Sequence, residues 1–452
     1  MKKKKSLIFI IFLIFTLFLF LNFKDFERIA GKRKRDFPEK SPNFLTLKFN
    51  KKYDSIYADD EILVKFKPTV SFEQIEATLF SYKTKKIKRI PRINVYELKI
   101  PKEYTVDEMI KAFQENPDVE FAEPNYIAHI TVMPNDDFFE YQYALHNRGQ
   151  EIGPGGPSGK TGADINAPEA WNEEKGKENV IIAIVDTGID LNHPDLKNKI
   201  YSSGYDFAND DPLAMDDHGH GTHCAGIAAA DTNNKEGIAG VAWNCKLLPV
   251  KVMNKEGFGL YSWISEGIIW AADQNASVIN LSIGGEFPSN TLRAALEYAY
   301  NKGVVIVAAA GNEGGSVLYP AAYDEYCLAV AAIDYNDLRV TLLTYTWESN
   351  FGPEIDVAAP GVRILSTYPV SLTPSGYLPY AWGSGTSMAA PHVAGLAALI
   401  KSLKPWLKVE QIMDIIRYSC DDINSNSYPG KDDYLGYGRI NMEKALVPIE
   451  LK

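Results

Sequence analysis

The chain is poor in cysteine, with four residues (Cys224, Cys245, Cys327 and Cys420) among 452. That is far too few for a disulfide scaffold, and the absence of any CxxC pair argues against a zinc ribbon or a redox dithiol. Positive charge is scarce in the larger part: residues 131–452 carry 22 Lys+Arg against 40 Asp+Glu, a balance of −18. So acidic a surface argues against nucleic acid as a partner, because phosphate binding needs a basic face. Internal repeats and low-complexity tracts are missing. With 46% hydrophobic and 23% charged residues, the composition excludes wholesale disorder and a polytopic membrane protein, so large apolar cores must hold the chain together.

What is present begins with Lys2–Lys5, followed by an apolar run from Leu7 to Leu21 broken only by Thr16, the pattern of an export signal. The run lies between a signal core and a full membrane span in length, and no small-x-small cleavage site comes after it. Residues 1–23 are therefore either a cleaved signal peptide or a retained membrane anchor, and both place the remainder outside the cytoplasm. Residues 24–57 are charged and aperiodic, as in a linker.

Residues 58–130 form a small unit. EILVKFK reads as a strand, SFEQIEATLF as a helix, NVYELKI as a strand, TVDEMIKAFQEN as a second helix and VEFAEPNYIA as a last strand. Thr105 and Glu108 make a capping box for the second helix. Such alternation suggests a small two-layer α+β sandwich. Residues 1–130 carry 25 Lys+Arg against 18 Asp+Glu, opposite in sign to residues 131–452, which favours association of the two parts.

Beyond about Pro134 come apolar runs that do not alternate: VIIAIV, KLLPVKVM, ASVINLSI and GVVIVAAA. These read as strands buried on both faces. THCAGIAAA, YSWISEGIIWAADQ and NTLRAALEYAYNKG between them read as helices, the last stopped by Gly303. The expected fold for 131–452 is α/β, a doubly wound, mainly parallel sheet, whose ligands collect outside the carboxyl ends of the strands.

Three polar elements fall at such ends or at helix starts. VIIAIV runs into Asp186 of DTGID, either an Asx-turn residue or a functional carboxylate. DDHGHGTHCAG crowds His218, His220 and His223 before a helix; these imidazoles and Cys224 are all possible zinc ligands, but the spacing is not HExxH. GSGTSMAAPHVAG places Ser387 at the start of an apolar helix containing Pro391, as an N-cap or as a nucleophile. One chemistry uses all three: a carboxylate that orients an imidazole, an imidazole base and a serine nucleophile, in the chain order Asp, His, Ser. The strand GVVIVAAA ends at Gly311-Asn312, whose side-chain amide can donate to a developing oxyanion.

With DTGID, HGTHCAG, VINLSIGG, AAAGNEG and GTSMAAPHVAG in this order between about Met133 and Leu446, the sequence resembles the subtilisin-like serine proteases, and within them the thermitase branch. The resemblance implies an endopeptidase with Asp186, His220 and Ser387 as triad and with Asn312 and the Ser387 backbone N–H as oxyanion hole. It leaves His218 and His223 non-catalytic and makes Cys224 a buried thiol. It also implies substrate binding along GFGLYSW, an edge strand contacting peptide through Gly257 and Gly259, and along Ser282, Ile283 and Gly284 opposite. Structural Ca²⁺ is implied at Asp136, Asp195 and Asn234 with the carbonyls of Asp231, Glu236 and Ile238, and a second site at Asp206, Asp211 and Asp216. Residues 58–130 resemble the family's ferredoxin-like inhibitory propeptide, cleaved near Ile130 to Met133. TLLTYTWESNFG departs from the shorter AxFSNxG-like turn of the family.

Overall fold

The computed structural model describes residues 57–126 and 132–447. The signal or anchor segment, the linker up to residue 56 and the start of the processing stretch lie outside them. No helix among the described residues is long and apolar enough to cross a membrane.

The N-terminal unit runs β1 (Tyr57–Phe66), helix Phe72–Ser81, β2 (Lys85–Ile90), β3 (Val95–Lys99), helix Val106–Gln114 and β4 (Val119–Tyr126). The sheet is antiparallel, ordered β2-β3-β1-β4, which is the βαββαβ ferredoxin-like arrangement. Both helices open with a reciprocal capping box, Ser71 with Gln74 and Thr105 with Glu108. Their apolar faces, including Ile75, Leu79, Met109 and Phe113, pack on Ile62, Val64, Phe66, Tyr96 and Leu98. Strand β2 is absent from the sequence expectation, and the reason is physical. KKIKRI is exposed along its whole length, so it has no buried face to alternate with and is held by pairing with β3 and by the Lys86–Glu76 ion pair.

The larger unit has β5 (Ile181–Asp186), β6 (Tyr205–Asp206), β7 (Lys246–Lys251), β8 (Val278–Leu281), β9 (Val305–Ala309), β10 (Cys327–Ile333) and β11 (Ile355–Pro360) in one sheet ordered β11-β10-β9-β8-β5-β7-β6. Every pairing in it is parallel. β12 (Ile364–Thr367) and β13 (Tyr380–Gly383) form a separate antiparallel ribbon. Successive strand side chains point to opposite faces. Ile181, Ala183, Val185, Ile279, Leu281, Ile306 and Ala308 pack in one cluster with the helices Tyr261–Asp273 and Asn290–Asn301. Ile182, Ile184, Val278, Val305 and Val307, on the other face, are also fully buried. There the helix His220–Ala229 packs on the helix Thr386–Leu403, and both lie against β5. Thr386–Leu403 is buried nearly all round and runs through the core despite the ladder bond that Pro391 cannot make.

Strand order reverses at β5, whose neighbours are β7 and β8. The crevice this opens beyond the carboxyl ends of β5 and β8 is where a doubly wound sheet binds its ligands.

Candidate active site

Asp186 is the last residue of β5 and has no exposed surface. Its Oδ1 lies 2.7 Å from His220 Nδ1 and also accepts from Thr187 N at 2.7 Å. His220 opens its helix, and Gly221 behind it packs so closely on the Asp186 turn that a Cβ there would lie 2.2 Å from Gly188 O. Only glycine permits that approach, and the approach brings the imidazole to the carboxylate.

Asp216 fixes the start of the same helix. It is buried and accepts from His218 N and Gly219 N through Oδ1, from Thr222 N and Thr222 Oγ1 through Oδ2, and from Thr187 Oγ1 at 2.9 Å. The three carboxylates expected at a second cation site all take donors from the protein. Asp216 is saturated by these donors, whereas Asp206 accepts from Ala208 N, Asn209 N and Asn209 Nδ2, and Asp211 from Leu213 N. The sequence reading misses Asp216 as an anchor for the Asp186 and His220 segments, although an acceptor three residues before an N–H at a helix start is a legible signal.

Burial by itself would lower the His220 imidazole. The Asp186 carboxylate, by charge and by hydrogen bond, with Asp216 behind it, outweighs burial and raises the imidazole above its ordinary 6.5. The three histidines go to different partners. His223 Nε2 faces Ala381 O at 3.0 Å and burial pushes its ring down to about 4, while His218 packs edge-on to His220 with ring centroids 6.4 Å apart.

Ser387 is the second residue of its helix. Its carbonyl accepts from Cys224 Sγ at 3.4 Å and from Ser282 Oγ at 2.8 Å, and its own hydroxyl is parked on Ser282 O, to which it donates at 3.0 Å. Cys224 Sγ in turn lies within 4.8 Å of ligand atoms of Asp186 and His220, so this one thiol adjoins both the Asp186–His220 pair and the Ser387 backbone. Burial holds the Cys224 thiol well above its usual range, which keeps it protonated and unreactive.

Asn312 comes after β9 and the turn residue Gly311. Its Oδ1 accepts from Thr386 N at 2.8 Å and Thr386 Oγ1 at 3.1 Å, which turns Nδ2 outward as a donor. The point a Cβ on Gly385 would occupy lies 3.5 Å from Asn312 Oδ1, 3.6 Å from Asn312 Nδ2 and 3.7 Å from Ser387 N. Both nitrogens thus border the space beside Gly385, where no Cβ intrudes. Gly385, at φ +150°, keeps it open.

Of the substrate-binding candidates, Ser282, Ile283 and Gly284 lie just past β8 beyond its carboxyl end, with Ser282 bonded to Ser387 as above. Gly257 sits in a turn closed by Asn254, where a Cβ would lie 3.2 Å from His218 Nε2. No strand is assigned over the expected edge segment 257–263: Leu260 is extended, and Tyr261 starts the helix that YSWISEGIIWAADQ predicts. Tyr261 Oη reaches Phe287 O at 2.9 Å and ties this wall to the segment after Gly284.

The cation candidates also converge. Asp195, fully buried, accepts from Asn234 Nδ2 and from Ile238 N, both at 2.9 Å, and its carbonyl accepts from Asp231 N. Asp136 accepts from Asn233 N and Asn234 N. Burial above all, with the charges of Asp136 and Glu236, pushes the Asp195 carboxyl up to about 7 against those hydrogen bonds.

A doubly wound parallel sheet with a paired carboxylate and imidazole at its switch point, and a helix-start serine bonded to the end of β8, fits a hydrolase of the serine type. Residues 177–438 match the Subtilase family and residues 48–125 the fervidolysin N-terminal prodomain. The chain belongs to the subtilase family and is a subtilisin-like serine endopeptidase with an N-terminal propeptide domain. It is 40% identical over 391 residues to the thermophilic serine proteinase of Bacillus sp. (strain AK1), covering 86% of this chain and 88% of that one. With thermitase of Thermoactinomyces vulgaris the identity is 42% over 313 residues, 69% of this chain and 99% of the other. The crystal structure of fervidolysin from Fervidobacterium pennivorans superposes with a TM-score of 0.56 at 28% identity, over 87% of this chain and 62% of that one.

Proposed function

We propose that Asp186, His220 and Ser387 are the catalytic triad of this endopeptidase and that Asn312 Nδ2 with Ser387 N is its oxyanion hole. In this reading Ser387 Oγ leaves Ser282 O, passes its proton to His220 Nε2 and bonds to the scissile carbonyl carbon. The carbonyl π pair moves onto oxygen between the two N–H donors. Asp186 holds the Nδ1–H tautomer and stabilises the imidazolium, which then protonates the leaving amine as the C–N bond breaks. Water repeats the sequence on the acyl-enzyme. Extended substrate lies between Gly257–Leu260 and Ser282–Gly284 and bonds through backbone. The observation that carries the reading is the pairing of the 2.7 Å Asp186–His220 contact with Asn312 Nδ2 and Ser387 N, which border the same Gly385 turn.

Asn312→Ala tests it. The variant should bind peptide with unchanged KM and turn over about 10²- to 10³-fold more slowly. Stopped-flow or steady-state kinetics on one peptide anilide separates the two constants, and an unchanged kcat removes Asn312 from the role.

The propeptide unit acts as chaperone and inhibitor until the enzyme cuts between Ile130 and Met133, and residues 1–23 export the precursor to the outside of the cell, released or anchored. Support for export is the Lys2–Lys5 cluster ahead of the apolar run. Asp136, Asp195 and Asn234, with the carbonyls of Asp231, Glu236 and Ile238, suit Ca²⁺, which takes six to eight oxygens. A fully buried carboxylate whose charged neighbours are further carboxylates fits a cation of this kind. Bound there, Ca²⁺ supplies stability and no chemistry. Chelation should lower the Tm by about 5–10 °C, restored by added Ca²⁺ and read by calorimetry with the active site blocked.

A further inference from the structure

Asn350 lies between β10 and β11 and is 1% exposed, yet its side chain bonds only to the segment that carries Asn312. Its Oδ1 accepts from Glu313 N at 2.9 Å and from Gly315 N at 3.1 Å, and its Nδ2 donates to Ser316 O at 2.8 Å and to Glu313 Oε2 at 3.1 Å. Asn350 N also donates to Gly311 O at 3.0 Å. The same Glu313 Oε2 accepts from Asn312 N at 2.8 Å. Asn350 therefore holds the residues on both sides of Asn312 and, through Glu313, reaches the Asn312 N–H itself. Behind it stands the fully buried Ser349, whose Oγ accepts from Ala332 N of β10 at 3.0 Å, so the brace rests on the sheet.

The segment needs such a brace. Gly311 and Gly314 both take left-handed backbone, at φ +110° and +69°, and glycines leave a chain much conformational freedom. An oxyanion donor is effective only when it is held within about 0.5 Å of its productive place. Gly311 and Asn350 are also fitted to each other, since a Cβ on Gly311 would lie 2.3 Å from Asn350 Nδ2. Burying an amide is costly unless its hydrogen bonds are made, and here both polar atoms are paired. We propose that Asn350, acting with Glu313, is a positioning residue of the oxyanion hole. It does not touch substrate, and it acts on the reaction by fixing Asn312 Nδ2 beside Ser387 N. The proposal rests on the assignment of Asn312 and Ser387 above.

A double-mutant cycle on one peptide anilide tests it. Asn350→Ala and Glu313→Ala are each made alone and in the Asn312→Ala background, matured with wild-type protease that is then removed, and counted by titration of their active sites. Asn350→Ala should lower kcat about tenfold with KM held. Glu313 is exposed, so Glu313→Ala leaves the core intact and should lower kcat about three- to fivefold. In the Asn312→Ala background either change should move kcat by less than about twofold, because the donor being positioned is gone. A variant that is merely less well folded would lose the same factor in both backgrounds. An unchanged kcat in folded Asn350→Ala, or an equal loss with and without the Asn312 side chain, overturns the proposal. Should Asn350→Ala yield no folded enzyme, the Glu313→Ala cycle is read by the same criteria. A wild-type kcat in Asn312→Ala alone would instead strike the oxyanion assignment.

Discussion

Full-length Ser387→Ala is expected to keep its propeptide and to lose about 10⁶-fold in turnover, the scale of loss when a triad serine is removed. The side chain lost is one hydroxyl. The Ser387 carbonyl keeps its bonds from Cys224 Sγ and Ser282 Oγ, and the helix Thr386–Leu403 keeps its burial. The fold should therefore survive, with a far-ultraviolet spectrum like that of wild type. Ser387 N and Asn312 Nδ2 remain in place, so weak residual catalysis from the oxyanion hole is expected above the rate in water. Removal of the propeptide depends on the same nucleophile. Intact-mass measurement should find wild type shortened by about the length of its signal, linker and propeptide segments, and Ser387→Ala retaining the propeptide. A correctly folded variant that sheds it at the wild-type rate would mean that another protease does the cutting.

Asp186→Asn carries the second largest expected effect, about 10⁴-fold in kcat/KM. The carboxylate accepts from His220 Nδ1–H, whereas an amide can present its NH₂ to that nitrogen and so favour the tautomer with Nε2 protonated, which cannot act as base. The pH profile supplies an independent reading. The imidazole must be neutral to accept the Ser387 proton, so activity is lost as pH falls through its pKa. Asp186 and Asp216 raise that pKa above 6.5 against the opposing pull of burial. The acid limb of wild-type kcat/KM should thus lie above pH 6.5 and move to lower pH in the variant, where burial is less opposed. An acid limb at the same pH in both proteins would show that Asp186 does not hold the imidazole.

Much of this architecture is legible in the amino-acid string, for identifiable reasons. VIIAIV, ASVINLSI and GVVIVAAA read as strands because a parallel sheet covered on both faces demands unbroken apolar runs, and their carboxyl ends point to Asp186, Ser282 and Asn312. The strand KKIKRI is illegible because it buries nothing. GFGLYSW is expected as an edge strand only from the family resemblance, whereas the helix that YSWISEGIIWAADQ predicts does begin at Tyr261. The full acceptor role of Asp216, for five N–H and O–H donors around the start of the His220 helix, is not legible in its acidic loop. Only the fold shows the donors. Gly385 reads as part of a glycine-rich turn, and its closeness to both Asn312 and Ser387 depends on a distance between segments far apart in the chain.

The claim on which the rest depends is that His220, held by Asp186, activates Ser387. Its most direct measurement is the rate at which a phosphonylating reagent modifies the mature enzyme, with the adduct located by peptide mass in wild type and in His220→Ala matured with added wild-type protease. One adduct per molecule on Ser387 in wild type, formed orders of magnitude more slowly in His220→Ala, is the expected result. An adduct on another residue, or equal rates in the two proteins, would contradict it.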